Sequence, residues 1–288
     1  MDIRKAVIPA AGFGTRFLPV TRTVPKVMLP VLNEPAIQFS VREAAVAGIE
    51  HIVFVISRGQ EATNDYFQPT PSLELALEER GNADLLQAMR GISSMAHTSV
   101  VYQDEQLGLG HAVLMAKDAI GDEPFAVFLP DDIIYADSPP IGEMMRVFAE
   151  YGSSVIAVKQ VPDAAIPSLG VIDPEPLSER VYRIKGMVEK PRLEDAPSNL
   201  AIIGRYVLTP DVFDAIENGR PGAIGEIQLT DAIEAVRAEQ GAYAYRIIDD
   251  HFDVGTPAGM LKASVYAALL RDDMAREMRE WLAAALVD

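Results

Sequence analysis

The sequence predicts an α/β fold: a Rossmann-like, mixed but mainly parallel sheet that is flanked by helices. Short apolar runs, typical of buried strands, alternate with helical patterns through the first half of the 288-residue chain. The second half carries more strand-like runs, separated by Pro- and Asp-rich turns, and a long helical pattern follows them. We therefore expect a single domain over residues 1–288, with a first half to about residue 135, a strand-rich half to about residue 256 and C-terminal helices over about 257–288.

Each element of the first half is predicted from periodicity and from turn residues. Ala6–Ile8 is a short apolar run that predicts a buried strand, and the chain then turns through Gly12 and Gly14. Pro35 suits the first turn of a helix, which apolar residues at helical spacing extend as far as Gly48. The remaining predictions for this half are a strand at 51–56, a helical region at 71–90, a strand at 99–103, a helix at 111–119 and a strand at 125–129.

The second half is predicted in the same way. Its expected elements are strands at 154–159, 170–172, 181–188 and 200–207, helices at 210–217 and 224–239, a strand at 243–248 and one or two helices over 257–286. Apolar side chains on the terminal helices serve either the core or a contact between subunits. Ligands of such sheets bind beyond the carboxyl ends of the strands, so we expect Gly12, Gln103 and Asp131 to lie at one edge.

Composition limits the classes of partner. The formal net charge of −17 argues against broad binding of nucleic acid, whose phosphates are themselves negative. No run of about 20 apolar residues predicts a membrane span, and the N-terminal region lacks the pattern of a signal peptide. With no cysteine, disulfides and thiolate metal sites are excluded. We therefore expect a cytoplasmic protein with a small anionic substrate.

The glycine turn concentrates positive charge in this acidic chain. No Asp or Glu occurs from Ile3 to Asn33, whereas five cationic residues do: Arg4, Lys5, Arg16, Arg22 and Lys26. Backbone amides in such a turn form an anion-binding concavity, so the segment predicts a phosphate-rich ligand. Phe17 stands where the dinucleotide fingerprint requires glycine, and the P-loop pattern is absent as well. The alternative is a tight turn with a solvated basic face.

Polar residues also follow two later strands. Asp131 and Asp132 end a buried strand, and adjacent carboxylates suit a hard cation such as Mg²⁺, unless they form only a polar strand exit. The Gln103 amide both donates and accepts, so it can pair with the edge of a pyrimidine, and the backbone at Gly108 can approach a flat base. His111 is either a general base or, the simpler interpretation, a helix N-terminal histidine with a structural hydrogen bond.

Several motifs together resemble a known family. The run Gly12–Pro19, followed by Pro25–Lys26 and Met28–Pro30, resembles the signature of sugar-1-phosphate nucleotidylyltransferases. The opening Ala10–Gly12 and the Pro25–Lys26 pair are similar to the bacterial uridylyltransferase branch, where the thymidylyl branch has other residues. Further segments that resemble the family follow in the expected order, so that the resemblance covers roughly residues 3–265.

The resemblance implies a role for each matching residue. The catalytic cations that it implies are Arg16, Lys26 and Lys190, and the nucleotide-binding residues are Ala10, Ala11, Gly12, Gly14, Thr15, Gln103 and Gly108. The sugar-binding residues that it implies are Gly170 and Glu189, and the metal ligands are Asp131 and Asp253. Arg22 replaces the usual lysine and keeps its charge, whereas Val27 replaces a glutamate and is left out of the site. Glu226 and Asp231 fit helix N-terminal charges equally well and are not included among the catalytic residues.

The implied activity is Mg²⁺-dependent uridylyl transfer. Glucose-1-phosphate would attack the α-phosphorus of UTP, giving UDP-glucose and pyrophosphate. The first half would then bind the nucleotide and the second half the sugar phosphate, in a homodimer or homotetramer. Three alternatives stay open: a thymidylyl- or cytidylyltransferase on the same fold, a non-catalytic regulator that binds a nucleotide sugar, and an assembly protein built on the terminal helices.

Overall fold

One nine-stranded sheet runs through the chain, and the computed structural model describes residues 2–219 and 225–285. Its strands, in chain order, are β1 (Lys5–Pro9), β2 (Pro30–Val31), β3 (Glu34–Pro35), β4 (His51–Ile56), β5 (His97–Tyr102), β6 (Phe125–Phe128), β7 (Asp132–Tyr135), β8 (Val155–Gln160), β9 (Gly170–Pro176), β10 (Val181–Glu189), β11 (Leu200–Leu208), β12 (Tyr243–Arg246) and β13 (Asp250–Asp253). Its helices are α1 (Ala36–Val46), α2 (Ala62–Asp65), α3 (Pro71–Glu79), α4 (Ala83–Ser93), α5 (Leu109–Leu114), α6 (Lys117–Ile120), α7 (Pro140–Tyr151), α8 (Asp211–Asn218), α9 (Leu229–Gln240), α10 (Pro257–Leu270) and α11 (Ala275–Ala285). In the described residues, none of these helices has the length and apolarity needed to span a bilayer.

The sheet is mixed, as predicted, and most of its strands share one direction. Its strand order is β5-β4-β1-β6-β11-β8-β12-β10-β9. The four strands β5, β4, β1 and β6 are parallel neighbours and all come from the first half of the chain. Among the described strands of this sheet, only β10 and β11 run against the rest. The pairing of β6 with β11 makes the sheet continuous across both halves.

Helices cover both faces of the sheet, which explains why its strands read as continuous apolar runs. In β1, Val7 packs into the core on one face, whereas Ala6 and Ile8 pack into the core on the other. Helices α5, α6, α8 and α9 bury the Val7 face, and helices α1 and α7 bury the opposite face. Phe125 and Phe213 stack at 4.9 Å between ring centroids, which anchors α8 on the sheet.

A small two-stranded ribbon lies at the carboxyl end of β6. After β6 the chain passes through Leu129–Asp131 and returns as β7, which pairs antiparallel with β13. The register places Asp253 opposite Asp132. A third apolar cluster, which includes Ile133 and Val254, packs the ribbon against α10. The ribbon therefore brings residues near 131 and 253 together.

Several predicted elements differ in detail from the structure. The helix expected at 111–119 is two short helices, α5 and α6, because Ala116 N–H bonds to Val113, three residues back, instead of continuing the α-helical ladder. The helical region at 71–90 is likewise divided, since Gly81 takes a left-handed φ of 67° between α3 and α4. The sequence analysis did not predict α7, β7 or β13. Residues 224 and 286, at the ends of two predicted helices, lie outside the described residues.

Candidate active site

The carboxyl ends of β1, β5 and β6 open onto one cavity of about 330 Å³. Gly12 follows β1, Gln103 follows β5, and Asp131 follows β6. The residues that line the cavity include Ala10, Ala11, Gly12, Lys26, Gln103, Gly108, Asp131 and Glu226. The three positions that the sheet topology predicts at one edge therefore do share one cavity.

Gly14 fixes the shape of the loop after β1. Its φ is 62°, in the left-handed region, and a Cβ there would lie 2.8 Å from Lys26 Cβ and 3.0 Å from Thr21 Cγ2. The Thr21 hydroxyl also donates a hydrogen bond of 2.8 Å to the Gly14 carbonyl. By contrast, a Cβ on Gly12 would meet nothing within 4 Å. The loop is thus closed against Lys26 on one side and open at Gly12 on the other.

Lys26 and two carboxylates converge beside Gly255. Lys26 Nζ donates to Asp131 Oδ2 at 2.6 Å, and the Gly255 amide donates to Asp253 Oδ1 at 2.8 Å. A Cβ built on Gly255 would lie 2.8 Å from Asp253 Oδ1, 2.9 Å from Asp131 Oδ2 and 3.3 Å from Lys26 Nζ. Three charged groups from β13 and from the loops after β1 and β6 therefore surround one point.

The paired carboxylates fit a hard divalent cation. Burial raises the pKa of Asp253, the Gly255 amide opposes that rise, and the neighbouring charges of Asp131 and Asp132 add to it. Carboxylate oxygens are the donors that Mg²⁺ prefers, and one or two of them with substrate phosphates complete its usual shell. Within residues 2–219 and 225–285, no group of three or more His, Cys, Asp or Glu side chains converges as a metal cage. The donor set therefore suits an ion that is shared with a phosphate ligand.

Asp132 points away from this cluster and holds the ribbon in place. It accepts a hydrogen bond of 3.0 Å from the Gly204 amide, and its Oδ1 lies 2.6 Å from His251 Nε2. Burial disfavours the ionised Asp132, but the hydrogen bond and charge of His251, with the charge of Arg205, outweigh burial and lower its pKa. Asp131 and Asp132, adjacent in sequence, thus face different partners.

A buried arginine supports the loop that carries Asp131. The Arg205 side chain is fully buried, and its guanidinium donates to the carbonyls of Leu129, Gly204 and Asp132 at 3.2, 2.9 and 2.8 Å. Its charge is paired with Glu43 of α1 at 2.8 Å. The sequence analysis missed this residue, since an arginine within an apolar strand reads as solvent-facing.

At the other end of the cavity, Gln103 is held among backbone groups and a histidine. Gln103 is 3% exposed, and its Nε2 lies 3.3 Å from the Gly108 carbonyl and 3.0 Å from His111 Nδ1. Gly108 has a φ of 105°, and a Cβ there would lie 2.8 Å from the Ile227 carbonyl. Glycine at 108 therefore lets the loop pack closely on the segment before α9.

The predicted sugar-binding residues form a second cluster. Gly170 of β9 pairs with Glu189 of β10, and a Cβ on Gly170 would lie 2.9 Å from Glu189 Oε2. Thr230 donates a hydrogen bond of 2.8 Å to that same oxygen. Lys190 has a φ of 48°, and its Nζ lies 3.6 Å from Glu189 Oε1. Of these residues, Thr230 was not assigned a role from the sequence.

Two features connect this cluster to the cavity. The segment 226–230 begins at Glu226, which lines the cavity, and ends at Thr230, which bonds Glu189. Burial raises the pKa of Tyr206 on β11, and the negative charges of Asp132, Glu189 and Asp131 raise it further. The charges of Asp131 in the cavity and of Glu189 in the second cluster therefore both act on Tyr206.

The remaining predicted residues lie on the rim or floor. Thr15 and Arg16 are exposed on the loop, and Arg16 Nη1 lies 3.5 Å from the Gly255 carbonyl. Ala10 and Ala11 are buried along the cavity floor. Val27, which stands where the resembling family has glutamate, belongs to the buried core and also contributes to the lining of the cavity.

Comparison with known proteins identifies the family. A family profile described as nucleotidyl transferase matches residues 5–268. UTP–glucose-1-phosphate uridylyltransferase 1 of Staphylococcus saprophyticus is 47% identical over 282 residues, which is 98% of each chain. A solved UDP-glucose pyrophosphorylase in complex with UDP-glucose has a TM-score of 0.86 at 41% identity and covers 94% of this chain and 100% of its own. A UTP-bound UGPase from Acinetobacter baumannii has a TM-score of 0.90 at 37% identity and covers 98% of this chain and 99% of its own.

The chain therefore belongs to the nucleotidyl transferase family and is a nucleotidyltransferase enzyme. The family that the motifs of the glycine loop resemble is thus confirmed, and so is the predicted α/β fold class. This finding favours an enzyme over the non-catalytic regulator and the assembly protein, which were alternatives based on the sequence alone.

Proposed function

We propose that this nucleotidyltransferase is a UTP–glucose-1-phosphate uridylyltransferase. One observation carries the proposal: a single cavity joins an amide suited to a pyrimidine, Gln103, to a lysine–carboxylate cluster suited to phosphates, Lys26 and Asp131. The similar proteins bear that activity or are described with UTP or UDP-glucose bound. UTP and glucose-1-phosphate are the substrates, and UDP-glucose and pyrophosphate are the products.

The reaction is a substitution at the α-phosphorus of UTP. A phosphate oxygen of glucose-1-phosphate forms a new bond to the α-phosphorus. The bond between the α-phosphorus and the oxygen that bridges it to the β-phosphorus breaks, and pyrophosphate leaves with that oxygen. The nucleophile is already ionised at neutral pH, so no general base is needed, and His111 has no role in proton transfer. The main obstacle is repulsion between two anions, which positive charge and backbone amides reduce.

Each proposed residue acts on one part of this problem. Lys26, held at 2.6 Å from Asp131, supplies positive charge at the reacting phosphates, and Arg16 on the rim approaches the departing pyrophosphate. The open backbone face at Gly12 receives the triphosphate, with the adjoining loop residues Ala10, Ala11, Gly14 and Thr15 beside it. Positioning of the two reactants in line supplies the rest of the acceleration.

The sugar phosphate is held by the cluster on β9 and β10. Lys190 binds the phosphate of glucose-1-phosphate, and Glu189 accepts hydrogen bonds from the sugar hydroxyls, with Thr230 fixing its carboxylate at 2.8 Å. Gly170 leaves space for the hexose beside Glu189, because any side chain there would contact that carboxylate. Gly108 and Gln103 contact the base at the far end.

Mg²⁺ is the proposed cofactor, with Asp131 and Asp253 as its protein ligands. Nucleotidyl transferases of this kind generally use a divalent metal ion, and such an ion neutralises charge on the phosphates when it is bound. The two carboxylates beside Gly255 supply hard oxygen donors for it. Lys26 then balances the remaining negative charge of Asp131.

Two further properties complete the proposal. The terminal helices carry exposed apolar side chains, with Leu261, Leu270 and Trp281 each more than half exposed. We infer that they contribute to a homodimer or homotetramer, which light scattering on the purified protein would test. The compartment we propose is the cytoplasm, where nucleotide and sugar-phosphate pools are available.

The decisive test is a pyrophosphate-release assay over a matrix of substrates. UTP, dTTP and CTP are each combined with glucose-1-phosphate and galactose-1-phosphate, with and without Mg²⁺. The proposal predicts the fastest release from UTP with glucose-1-phosphate, and only with the divalent ion. Faster turnover of dTTP or CTP would assign the chain to another branch of the family.

A further inference from the structure

The contact between Gln103 and His111 has a consequence for base selection. The Gly108 carbonyl can only accept a hydrogen bond, so the atom of Gln103 that faces it at 3.3 Å must be the amide nitrogen. The same nitrogen lies 3.0 Å from His111 Nδ1. Since Nε2 then donates one hydrogen to each partner, His111 Nδ1 acts as the acceptor.

This arrangement leaves one polar atom of Gln103 for the ligand. Within residues 2–219 and 225–285, Gln103 Oε1 makes no hydrogen bond, and this oxygen is not fully buried. Gln103 lines the cavity, so Oε1 is directed to the cavity surface. The side chain therefore presents an acceptor to the base.

An acceptor distinguishes the pyrimidines at N3. Uracil and thymine carry a hydrogen on N3 and can donate it to Oε1. Neutral cytosine has a lone pair at N3, which would face the lone pairs of Oε1. If the amide turned over, Gln103 would present its NH₂ group and suit cytosine instead. The direction in which the amide is held therefore determines which base is accepted.

We propose that His111 is a positioning residue for base selection: its Nδ1 holds the Gln103 amide so that Oε1 faces N3 of uracil. This inference rests on the proposed function and deepens it. His111 lies in the first turn of α5, where the Gly110 amide donates to the Ile227 carbonyl at 2.8 Å. A Cβ on Gly110 would also lie 2.8 Å from that carbonyl, so the helix start is fixed against the segment before α9.

The test compares two variants of similar shape. In His111→Asn, the Oδ1 atom replaces Nδ1 as an acceptor, whereas His111→Leu has the same branching and no acceptor. The measured quantity is the ratio of kcat/KM for UTP to kcat/KM for CTP, which a uniform loss of activity leaves unchanged. We expect the ratio to fall about tenfold in His111→Leu, the effect of losing one hydrogen bond, and to stay within about threefold of the parent in His111→Asn.

A parallel measurement separates this inference from the proposed function. The dissociation constants of UTP and CTP, measured by calorimetry, report base selection even without turnover. A parent chain that binds UTP no better than CTP overturns both the function and the inference. If the parent prefers UTP and His111→Leu keeps that preference, only the role of His111 is overturned. The role of His111 is also overturned if His111→Asn loses the preference to the same extent as His111→Leu.

A measurement on the unmodified chain applies even if the leucine variant fails to fold. The chain has four histidines, and ¹⁵N shifts of the ring nitrogens identify which nitrogen of each is protonated. The His111 signals are assigned by their loss in His111→Asn. The proposal requires a neutral ring with the proton on Nε2 and an unprotonated Nδ1. A proton on Nδ1 of the neutral ring would contradict it.

Discussion

Replacing Gly255 by alanine places a methyl group at the point where Lys26, Asp131 and Asp253 meet. The new Cβ would lie 2.8 Å from Asp253 Oδ1 and 2.9 Å from Asp131 Oδ2. Carbon–oxygen contacts ordinarily lie at about 3.3–3.6 Å, so each oxygen must retreat by roughly half an ångström. The atoms that must move are the ends of side chains, and the fold is expected to tolerate the change.

The expected cost falls on catalysis. Reacting groups are held to within about 0.5 Å of their productive positions, and a misplacement of about 1 Å costs about a hundredfold in rate. We therefore expect kcat of Gly255→Ala to fall between about tenfold and a hundredfold. A higher concentration of Mg²⁺ should be needed for half-maximal rate, because both proposed ligands are displaced.

The matched control is Gly142→Ala. Gly142 lies within α7, and a Cβ there would meet nothing within 4 Å. Alanine in a helix is favoured over glycine by about 0.5–1 kcal/mol, so this variant should be at least as stable as the parent and fully active. Pyrophosphate release and thermal unfolding are measured for both. Equal kcat in the two variants would refute our placement of the reaction centre beside Gly255.

The remaining predictions address charge, support and the sugar site. Lys26→Met and Asp131→Asn should each lower kcat well over tenfold, because each removes charge at the reacting phosphates. The melting temperature of both variants should change little. Arg205→Met should lower the free energy of unfolding by about 3–5 kcal/mol in urea titrations, since it leaves the Glu43 charge buried without its partner. Lys190→Met should raise KM for glucose-1-phosphate while KM for UTP stays the same, as initial rates would show.

The lysine and arginine variants each have a control elsewhere on the chain. Lys262→Met on α10 and Lys185→Met on β10 remove exposed lysines outside the site and should leave the kinetics unchanged. Arg146→Met removes an exposed partner of Glu143 and should cost less than about 1 kcal/mol. A near-normal kcat in Lys26→Met would contradict the role of Lys26. A loss of less than about 1 kcal/mol in the free energy of unfolding of Arg205→Met would contradict the role of Arg205. An equal rise in both KM values in Lys190→Met would contradict the role of Lys190.

Much of the fold follows from the apolar runs. Strands β1, β4 and β6 are buried on both faces, so their sequences are continuously apolar after the first residue of β1 and of β4, and their alternation with helices predicts a largely parallel sheet. The edge where ligands bind then follows from topology alone, which is why Gly12 and Gln103 are correctly placed on one cavity. Helix α7 was also readable, from Ile141, Met144 and Phe148 at helical spacing.

Other parts of the site depend on contacts that are distant in sequence. Strands β7 and β13 are four residues each, too short to show periodicity, and they pair with each other across most of the second half of the chain. Arg205 is buried only because Glu43 of α1 and the carbonyls after β6 surround it. No local pattern distinguishes such an arginine from an exposed one. The support of Asp131 was therefore invisible in the sequence, although Asp131 itself was predicted from the sequence and lines the cavity.

The roles of the individual residues came from the resemblance, and the structure supplies their surroundings. Gly14 and Gly170 show why glycine is needed, since a Cβ at either position would collide with Lys26 or with Glu189. Val27 shows the reverse case: the family's usual glutamate is absent, and the valine is part of the core. Charge at that position is therefore not available to the reaction in this chain.

The most direct test of the account is a crystal structure of the chain with UTP and Mg²⁺. The account predicts uracil N3 within hydrogen-bond distance of Gln103 Oε1, with the triphosphate along the open face at Gly12 and its α-phosphate beside Lys26 and Asp131. A triphosphate bound outside this cavity, with Lys26 still paired to Asp131 and remote from every phosphate, would contradict it.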